Sequence, residues 1–389
     1  MDSTFEKRLK RRMIGQEKTF FVAVSPGFES VCEQELGASP LGIKGGRIQK
    51  GGVKFKGRLT DCYSANLHLR TATRILMRID DFACTNFRQL TKKIGRTDWE
   101  LYLYKNTSVD VRVTTRNSRL YHSAAIGERI RDTIGVHLDK NGIDAPTVVR
   151  QTLHVRLNGD RLTISIDSSG DPLFKRGLKV HAALAPIRES HAAFGLIKGG
   201  FNGEAPLIDP MSGSGSFSLE AAMMAKLIPT GYFRQFAFMV WPAFKPHHWE
   251  YIKKKARERI KDHAAPLIFA SEADSVACER LASSFRQNNL TDVATVRCVD
   301  FFDLRPSEFT ARKGMVALNP PYGHRIGDQE QSRSMHIRLI QKLIMDYQGW
   351  NLVLFTPVKF RANDIPFKVR SFPIFHGGLQ IFLYTGCIR

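Results

Sequence analysis

Apolar and polar residues alternate in two different rhythms along this chain. In the first half, short alternating runs are separated by turn residues. Phe20-Phe21-Val22-Ala23-Val24 reads as a strand; Pro26 and Gly27 break it, and residues 29–36 then read as a helix stopped by Gly37. Residues 43–55, rich in Gly and Lys, predict a hairpin. Residues 61–78 predict an amphipathic helix, with Ala65, Leu69, Ala72 and Leu76 at helical spacing. Val109, Val111 and Val113 alternate with polar residues as in a half-buried strand. A helix over 123–138 and alternating strands over 152–157 and 161–167 follow, and Ser168-Ser169-Gly170-Asp171-Pro172 marks a turn or the approach to a domain boundary.

The second half has another rhythm. Short apolar runs at 207–208, 267–270, 295–299, 315–318 and 352–355 read as buried strands, with helices expected over 217–226 and 275–288. Strands alternating with helices predict a doubly wound, mostly parallel sheet of Rossmann type, in which ligands bind beyond the carboxyl ends of the strands. The fold class expected is therefore α/β, preceded by an α+β region. No internal repeat and no low-complexity tract is visible.

Composition narrows the partners. A chain of 389 residues has room for two or three domains, and 43% hydrophobic content supports sizeable cores. Its 58 Lys and Arg against 37 Asp and Glu give a formal net charge of +21, which attracts polyanions, nucleic acid first and an anionic membrane surface second. No run of eighteen apolar residues exists, so no membrane-spanning helix is expected. Lys7, Arg8, Lys10, Arg11 and Arg12 read as a loose basic arm that touches an anionic partner, and the apolar run that follows is too short for a signal-peptide core. Cys32, Cys62, Cys84, Cys278, Cys298 and Cys387 are scattered without a CxxC pair. That spacing predicts neither a metal site nor a disulfide framework, and a reducing cytoplasm is the expected location.

The candidate chemistry sits in the loops after the second-half strands. Asp209-Pro210-Met211-Ser212-Gly213-Ser214-Gly215-Ser216 follows a strand and opens a helix. Gly213 and Gly215 can adopt backbone angles closed to other residues and admit a ligand close to the main chain. The turn lacks the Gly-Lys-Ser/Thr of a phosphate-binding loop and the full G-x-G-x-x-G of dinucleotide enzymes. An acid at the end of the next strand, Glu272, is placed to accept from the two hydroxyls of a ribose. Asp274 competes for that role, although an acid at a helix start is often a cap. The gap between turn and acid is far longer than the usual twenty or so residues, which predicts an insertion between Leu227 and Pro266. Asp300 ends the following strand and is placed to accept from an adenine amino group, with Phe301 either packing on that ring or filling the core.

Asn319-Pro320-Pro321-Tyr322 follows the strand at 315–318. Two prolines remove two amide donors and stiffen the loop, and Asn319, preceding a proline, is held extended. The Asn319 side-chain oxygen and the Pro320 carbonyl can then both accept from one amino group, and Tyr322 can stack on a base turned out of its helix. The chemistry this favours is methyl transfer from a sulfonium to an exocyclic base nitrogen, an in-line displacement in which positioning supplies much of the catalysis.

Phe174-Lys175-Arg176-Gly177, Ala185-Pro186-Ile187-Arg188-Glu189, residues 209–215 and residues 319–323 together resemble the THUMP-containing class I RNA methyltransferases, and most nearly the bacterial large-subunit ribosomal RNA guanine-N2 methyltransferase family. Asn117-Ser118-Arg119-Leu120-Tyr121-His122 with the basic helix after it resembles the THUMP domain, an RNA-binding module, and Ala65-Asn66-Leu67-His68-Leu69-Arg70-Thr71-Ala72-Thr73-Arg74 resembles that family's N-terminal region. The resemblance runs from Phe20 almost to the end of the chain. It implies an N-terminal ferredoxin-like region over 1–80, a THUMP domain over 81–168, and a methyltransferase domain over 169–389 with an insertion around 227–266. It implies that Asp209, Pro210, Gly213, Ser214 and Gly215 bind S-adenosylmethionine, that Glu272 holds the ribose, and that Asp300 and Phe301 meet the adenine. Asn319, Pro320, Pro321 and Tyr322 are implied to hold the target base, with no metal. The chain departs from the family at Ser212, usually Cys, and at Glu272, usually Asp. The implied product is N2-methylguanosine in 23S ribosomal RNA, free or in a ribosome assembly intermediate. The alternatives are an adenine-N6 methyltransferase on RNA or DNA, and a catalytically silent RNA-binding or assembly protein.

Overall fold

The computed structural model describes residues 3–145, 147, 149–178, 187–321, 329–361 and 364–389. The chain divides into two compact units, the first made of Met1–Val24, Cys32–Leu173 and Arg234–Lys254, the second of Ser25–Val31, Phe174–Phe233 and Lys255–Arg389.

The first unit is built on one seven-stranded sheet. Its strands are β1 (Lys18–Val24), β2 (Arg47–Gln49), β3 (Gly52–Gly57), β4 (Ala72–Ala83), β5 (Thr107–Arg116), β6 (Val149–Asn158) and β7 (Arg161–Asp167), in the order β2-β3-β1-β4-β7-β6-β5. Only β5 and β6 run parallel; every other neighbour pair is antiparallel. β4 pairs with β1 on one side and β7 on the other, so the sheet is continuous across residue 80. Tyr63 of the helix Leu59–His68 stacks on Phe238 with ring centroids 4.3 Å apart, and Phe238 meets the edge of Trp249 at 5.3 Å. These contacts anchor the inserted segment Arg234–Lys254 in the core of this unit.

Two expectations fail here. Residues 61–78 are not one helix: the helix ends at His68, Leu69 is extended, and β4 begins at Ala72. The helical spacing of Ala72 and Leu76 coexists with the alternation of Thr71, Thr73, Ile75 and Met77, and sheet burial of Ile75 and Met77 decides for the strand. Nor is the N-terminus a loose arm. Ser3–Leu9 is α-helical and runs into a short π-helix, Lys10–Ile14. Phe5, Leu9 and Met13, four residues apart, are buried along one face. Arg8 pairs with Glu100 at 2.6 Å and Arg12 with Asp98, so part of the basic run is spent inside the unit.

The second unit carries the mostly parallel sheet that the second-half rhythm predicts. Its strands are β8 (Leu207–Asp209), β9 (Ile268–Glu272), β10 (Ala294–Cys298), β11 (Met315–Leu318), β12 (Asn351–Thr356), β13 (Val369–His376) and β14 (Leu379–Cys387). Their order is β10-β9-β8-β11-β12-β14-β13. The first five are parallel, and β14 is antiparallel to both β12 and β13. From β8 the chain builds outward through β9 to β10, then returns to place β11 on the other flank of β8. The strand order therefore reverses between β8 and β11, and the crevice beyond their carboxyl ends is the place where such sheets bind ligands. Ile208, Val316, Leu318, Leu352 and Leu354 share a core with Leu339 and Leu343 of the helix Gln329–Asp346 and with Tyr347 just beyond it.

Among the described residues no helix is long and apolar enough to cross a membrane, and all six cysteines are free thiols.

Candidate active site

The glycine turn starts where β8 ends. Asp209 is buried, and its Oδ2 accepts from the Ser218 backbone N–H at 3.1 Å and from the Ser218 hydroxyl. Asp209 thereby ties the strand end to the first turn of the helix Ser216–Ala225, a bracing role that the turn's sequence did not reveal. The turn closes on itself, with the Gly215 N–H donating to the Ser212 carbonyl at 2.7 Å. Gly213 and Gly215 take φ of +50° and +74°. The Ser212 N–H donates to the Ser271 carbonyl at 3.0 Å, and the Ser271 hydroxyl to the Pro210 carbonyl at 3.2 Å, so β9 holds the turn from the side. Ser214 lies half-buried at its crest.

Beneath the helix that opens from this turn lies a buried ion pair. Arg176 Nε sits 3.2 Å from Glu220 Oε2, with both side chains sealed from solvent. Arg176 belongs to the Phe174-Lys175-Arg176-Gly177 motif, so one part of that motif fixes the helix behind the glycine turn. Ala185 and Pro186 of the second motif lie outside the described residues, but the Ile187 carbonyl beside them accepts from the Ser216 hydroxyl at 2.7 Å.

The two competing acids separate clearly. Glu272, half-buried at the end of β9, accepts from the Gly213 N–H at 2.8 Å through Oε2, across 59 residues of sequence. Its other oxygen accepts from the Ala273 and Asp274 N–H groups at 3.0 and 3.3 Å. Asp274 is exposed and caps the helix Ser275–Gln287, accepting from Val276 N–H at 2.8 Å. The extra methylene of Glu272 is what lets its carboxylate reach back to the glycine turn. Asp300 is exposed beyond β10, its carboxylate accepting from the Phe302 N–H at 2.8 Å. Phe301 takes the bland of its two expected places: it is 2% exposed and packs in the core near Tyr347 and Leu318. Its ring is not presented to the loops.

On the other flank of β8, β11 delivers Asn319 half-buried, Pro320 buried and Pro321 exposed. Tyr322 and Gly323 lie outside the described residues. Leu318 is in register with Leu354 of β12, so the Asn319 loop leaves the sheet beside the end of that strand. There Thr356 and His336, both buried, share a hydrogen bond of 2.7 Å. Nothing in the spacing of His336 and Thr356 marked them in advance; they meet only through the fold.

The crevice can be tested for a nucleoside-bearing group. A Cβ built on Gly213 meets nothing within 4 Å, so the main chain faces open space there. The buried Ser212 hydroxyl has no hydrogen-bond partner among the described residues. A half-buried carboxylate, Glu272, stands beside that open backbone. These are the features a ribose and an adjoining polar chain require, and the residues present fit such a group.

Comparison with known proteins agrees with this architecture. Residues 176–363 match the family model described as RMKL-like methyltransferase domain, and residues 19–76 match the RlmL ferredoxin-like domain. The chain is 30% identical over 379 residues to a ribosomal RNA large subunit methyltransferase K/L of Methylococcus capsulatus, covering 94% of this chain and 51% of that protein. It is 27% identical over 375 residues to a putative RNA methyltransferase of Synechocystis, covering 94% of this chain and 96% of that protein. The chain spans about half the length of the curated relatives named methyltransferase K/L. Among solved structures, a putative methyltransferase complexed with SAH superposes with a TM-score of 0.85 at 24% identity, covering 96% of this chain and 99% of that one. Residues 19–76 thus match an RlmL ferredoxin-like domain and residues 176–363 an RMKL-like methyltransferase domain, and the fold is one that a solved methyltransferase structure shares.

Proposed function

We propose that the chain is an S-adenosylmethionine-dependent RNA methyltransferase that acts on large-subunit ribosomal RNA and forms N2-methylguanosine. The observation that carries this reading is the pairing of two loops across the strand-order reversal. The Gly213 turn and Glu272 stand on one side, and Asn319-Pro320-Pro321 on the other. The bound cofactor supplies an electrophilic methyl group on a sulfonium. Glu272 holds the ribose hydroxyls, the open backbone at Gly213 receives the amino acid portion, and Asp300 accepts from the adenine amino group. Asn319 Oδ1 and the Pro320 carbonyl accept the two hydrogens of a base amino group, which turns the nitrogen lone pair toward the methyl. Tyr322 stacks on the base. No strong base is needed, because the nitrogen sheds its proton after the new bond forms.

RNA as the polymer is supported by the net charge of +21 and by the names of the relatives. The choice of guanine rests on the resemblance of the whole chain. We assign residues 1–80 to the ferredoxin-like region, 81–168 to a THUMP-type RNA-binding region and 169–389 to the methyltransferase region with its insertion at 227–266, and we place the protein in the cytoplasm. Asn319→Ala is the direct test. Methyl transfer to ribosomal RNA is expected to fall about a hundredfold or more, while S-adenosylmethionine affinity by calorimetry stays within about twofold. Turnover equal to that of the parent refutes the role of Asn319. Mass mapping of the methylated nucleoside then decides between guanine N2 and adenine N6.

A further inference from the structure

A cavity of about 230 Å³ lies wholly within the first unit, lined among others by Arg58, Thr60, Tyr63, Lys245 and His248. No carboxylate lines it. None of the Arg58, Lys245 and His248 side chains has an ion pair among the described residues.

Two helices begin at its wall. Leu59–His68, 10 residues long, starts from Arg58, which occupies the cap position in an extended conformation. Pro246–Arg257, 12 residues long, starts from Lys245, whose carbonyl accepts from the His248 and Trp249 N–H groups at 3.1 and 3.4 Å. Helix starts expose unsatisfied amides and the positive end of the helix dipole, so Ser, Thr, Asp and Asn prevail there and cations are unfavourable. Both starts here hold a cation. Asp61 offsets part of the first by accepting from the Arg58 N–H at 2.7 Å, but the second helix has no acid in its first turn. Burial first, and then His247 and Lys245, hold the His248 imidazole below its ordinary range.

Tyr63 is an independent sign. It is 1% exposed, sandwiched against Phe238 and the edge of Phe244, and its hydroxyl has no hydrogen-bond partner among the described residues. Burial pushes the phenol well above its ordinary range, so it remains a donor. The ring is buried while the hydroxyl, which finds no partner among the described residues, keeps its hydrogen-bonding capacity for what enters the cavity it lines. Two cations, an imidazole and a phenol thus converge on one cavity, and a cation in place of the usual cap is a local conflict at both helix starts. Such local conflicts cluster where a ligand resolves them.

We propose that this cavity is a binding site for a phosphoryl group, with Arg58, Lys245 and Tyr63 as donors and His248 as the titratable fourth member. The phosphoryl group comes from an RNA backbone or from a small phosphorylated molecule, and two measurements on the full chain separate the sources. In the first, the His248 imidazole resonance is followed against pH with and without inorganic phosphate. Phosphate is expected to raise the His248 titration midpoint saturably in the parent, to have no such effect in Lys245→Gln or Arg58→Gln, and to bind about three- to tenfold more weakly in Tyr63→Phe. In the second, RNA affinity is measured over a range of salt. If the phosphate is a backbone phosphate, Lys245→Gln lowers the slope of log K against log salt by about 0.7–0.9. Lys50→Gln, on the exposed turn between β2 and β3, serves as the control for loss of one charge. A phosphate effect on His248 with an unchanged slope assigns a small ligand. The proposal is overturned if phosphate leaves His248 untouched and Lys245→Gln alters the slope no more than Lys50→Gln does. The readout involves no methyl transfer, so the site stands or falls apart from the catalytic reading.

Discussion

Gly213 and Gly215 share a left-handed backbone but do different work. At Gly215 a Cβ falls 2.3 Å from Leu281 Cδ1 and 3.4 Å from its Cγ, and Leu281 is itself buried. At Gly213 a Cβ meets nothing within 4 Å. Gly215→Ala therefore combines backbone strain with a displaced core side chain and is expected to lower stability by about 2–4 kcal/mol. Gly213→Ala carries only the strain, about 1–2 kcal/mol, yet its methyl group projects into the crevice and is expected to weaken S-adenosylmethionine binding at least tenfold. Denaturant unfolding and calorimetric titration of both variants check the split; equal losses of stability, or unaltered cofactor affinity in Gly213→Ala, contradict it. The glycines were visible in the sequence because glycine is the residue that this backbone demands. The roles of Ser218 and Arg176 were not, because nothing in their spacing shows that one braces Asp209 and the other neutralises Glu220. Glu272 and Asp274 differ in reach. Both follow β9 within two residues, and only the fold shows which carboxylate turns back to Gly213 and which caps the next helix.

Elements were legible where one period dominated. The buried strands β8, β9, β11 and β12 announce themselves as short apolar runs bounded by turns, whereas their order, β10-β9-β8-β11-β12, is seen only in the fold. The strands β13 and β14 escaped notice. β13, at the sheet edge, is mostly half-buried or exposed, so its apolar signal is diluted. Residues 61–78 misled because two periods overlap there, and the tie is broken by β1 and β7 on either side of β4 rather than by local preference. The N-terminal helix misled through its charge: five cations within residues 7–12 mask the apolar stripe of Phe5, Leu9 and Met13. Leu9→Ala separates the two views. A docked helix loses a buried side chain, with an expected cost of about 2–4 kcal/mol in denaturant unfolding. A loose arm loses nothing, and an unchanged midpoint would return these residues to the role of a free basic arm.

One histidine in each unit, His154 in the first and His191 in the second, is held in its neutral form. His154 of β6 is held down to about 4 by burial and then by Arg74 and Arg112. His191, in the helix Glu189–Lys198, is held down to about 4 by burial, although the Phe375 carbonyl 3.2 Å from its Nε2 favours the charged ring. In the unfolded chain both titrate near 6.5. Their folded values lie below their unfolded values, so between these limits the unfolded chain binds more protons and stability rises with pH. The full contribution is present above about 6.5 and is lost progressively as pH falls toward 4, with a slope of at most about 1.4 kcal/mol per pH unit for each group. Glu35 and Asp167 act with the opposite sign, because burial raises them and the folded chain then keeps protons that the unfolded chain releases. The slope of the parent is thus a difference of opposing contributions, and the histidine part appears only on comparison with variants. His154→Gln and His191→Gln are each expected to flatten the fall in unfolding free energy between pH 6.5 and 4.5, and the double variant to flatten it further. Parallel pH profiles for parent and double variant would mean that the buried imidazoles take up protons without unfolding, and that acid lability resides in the carboxylates instead.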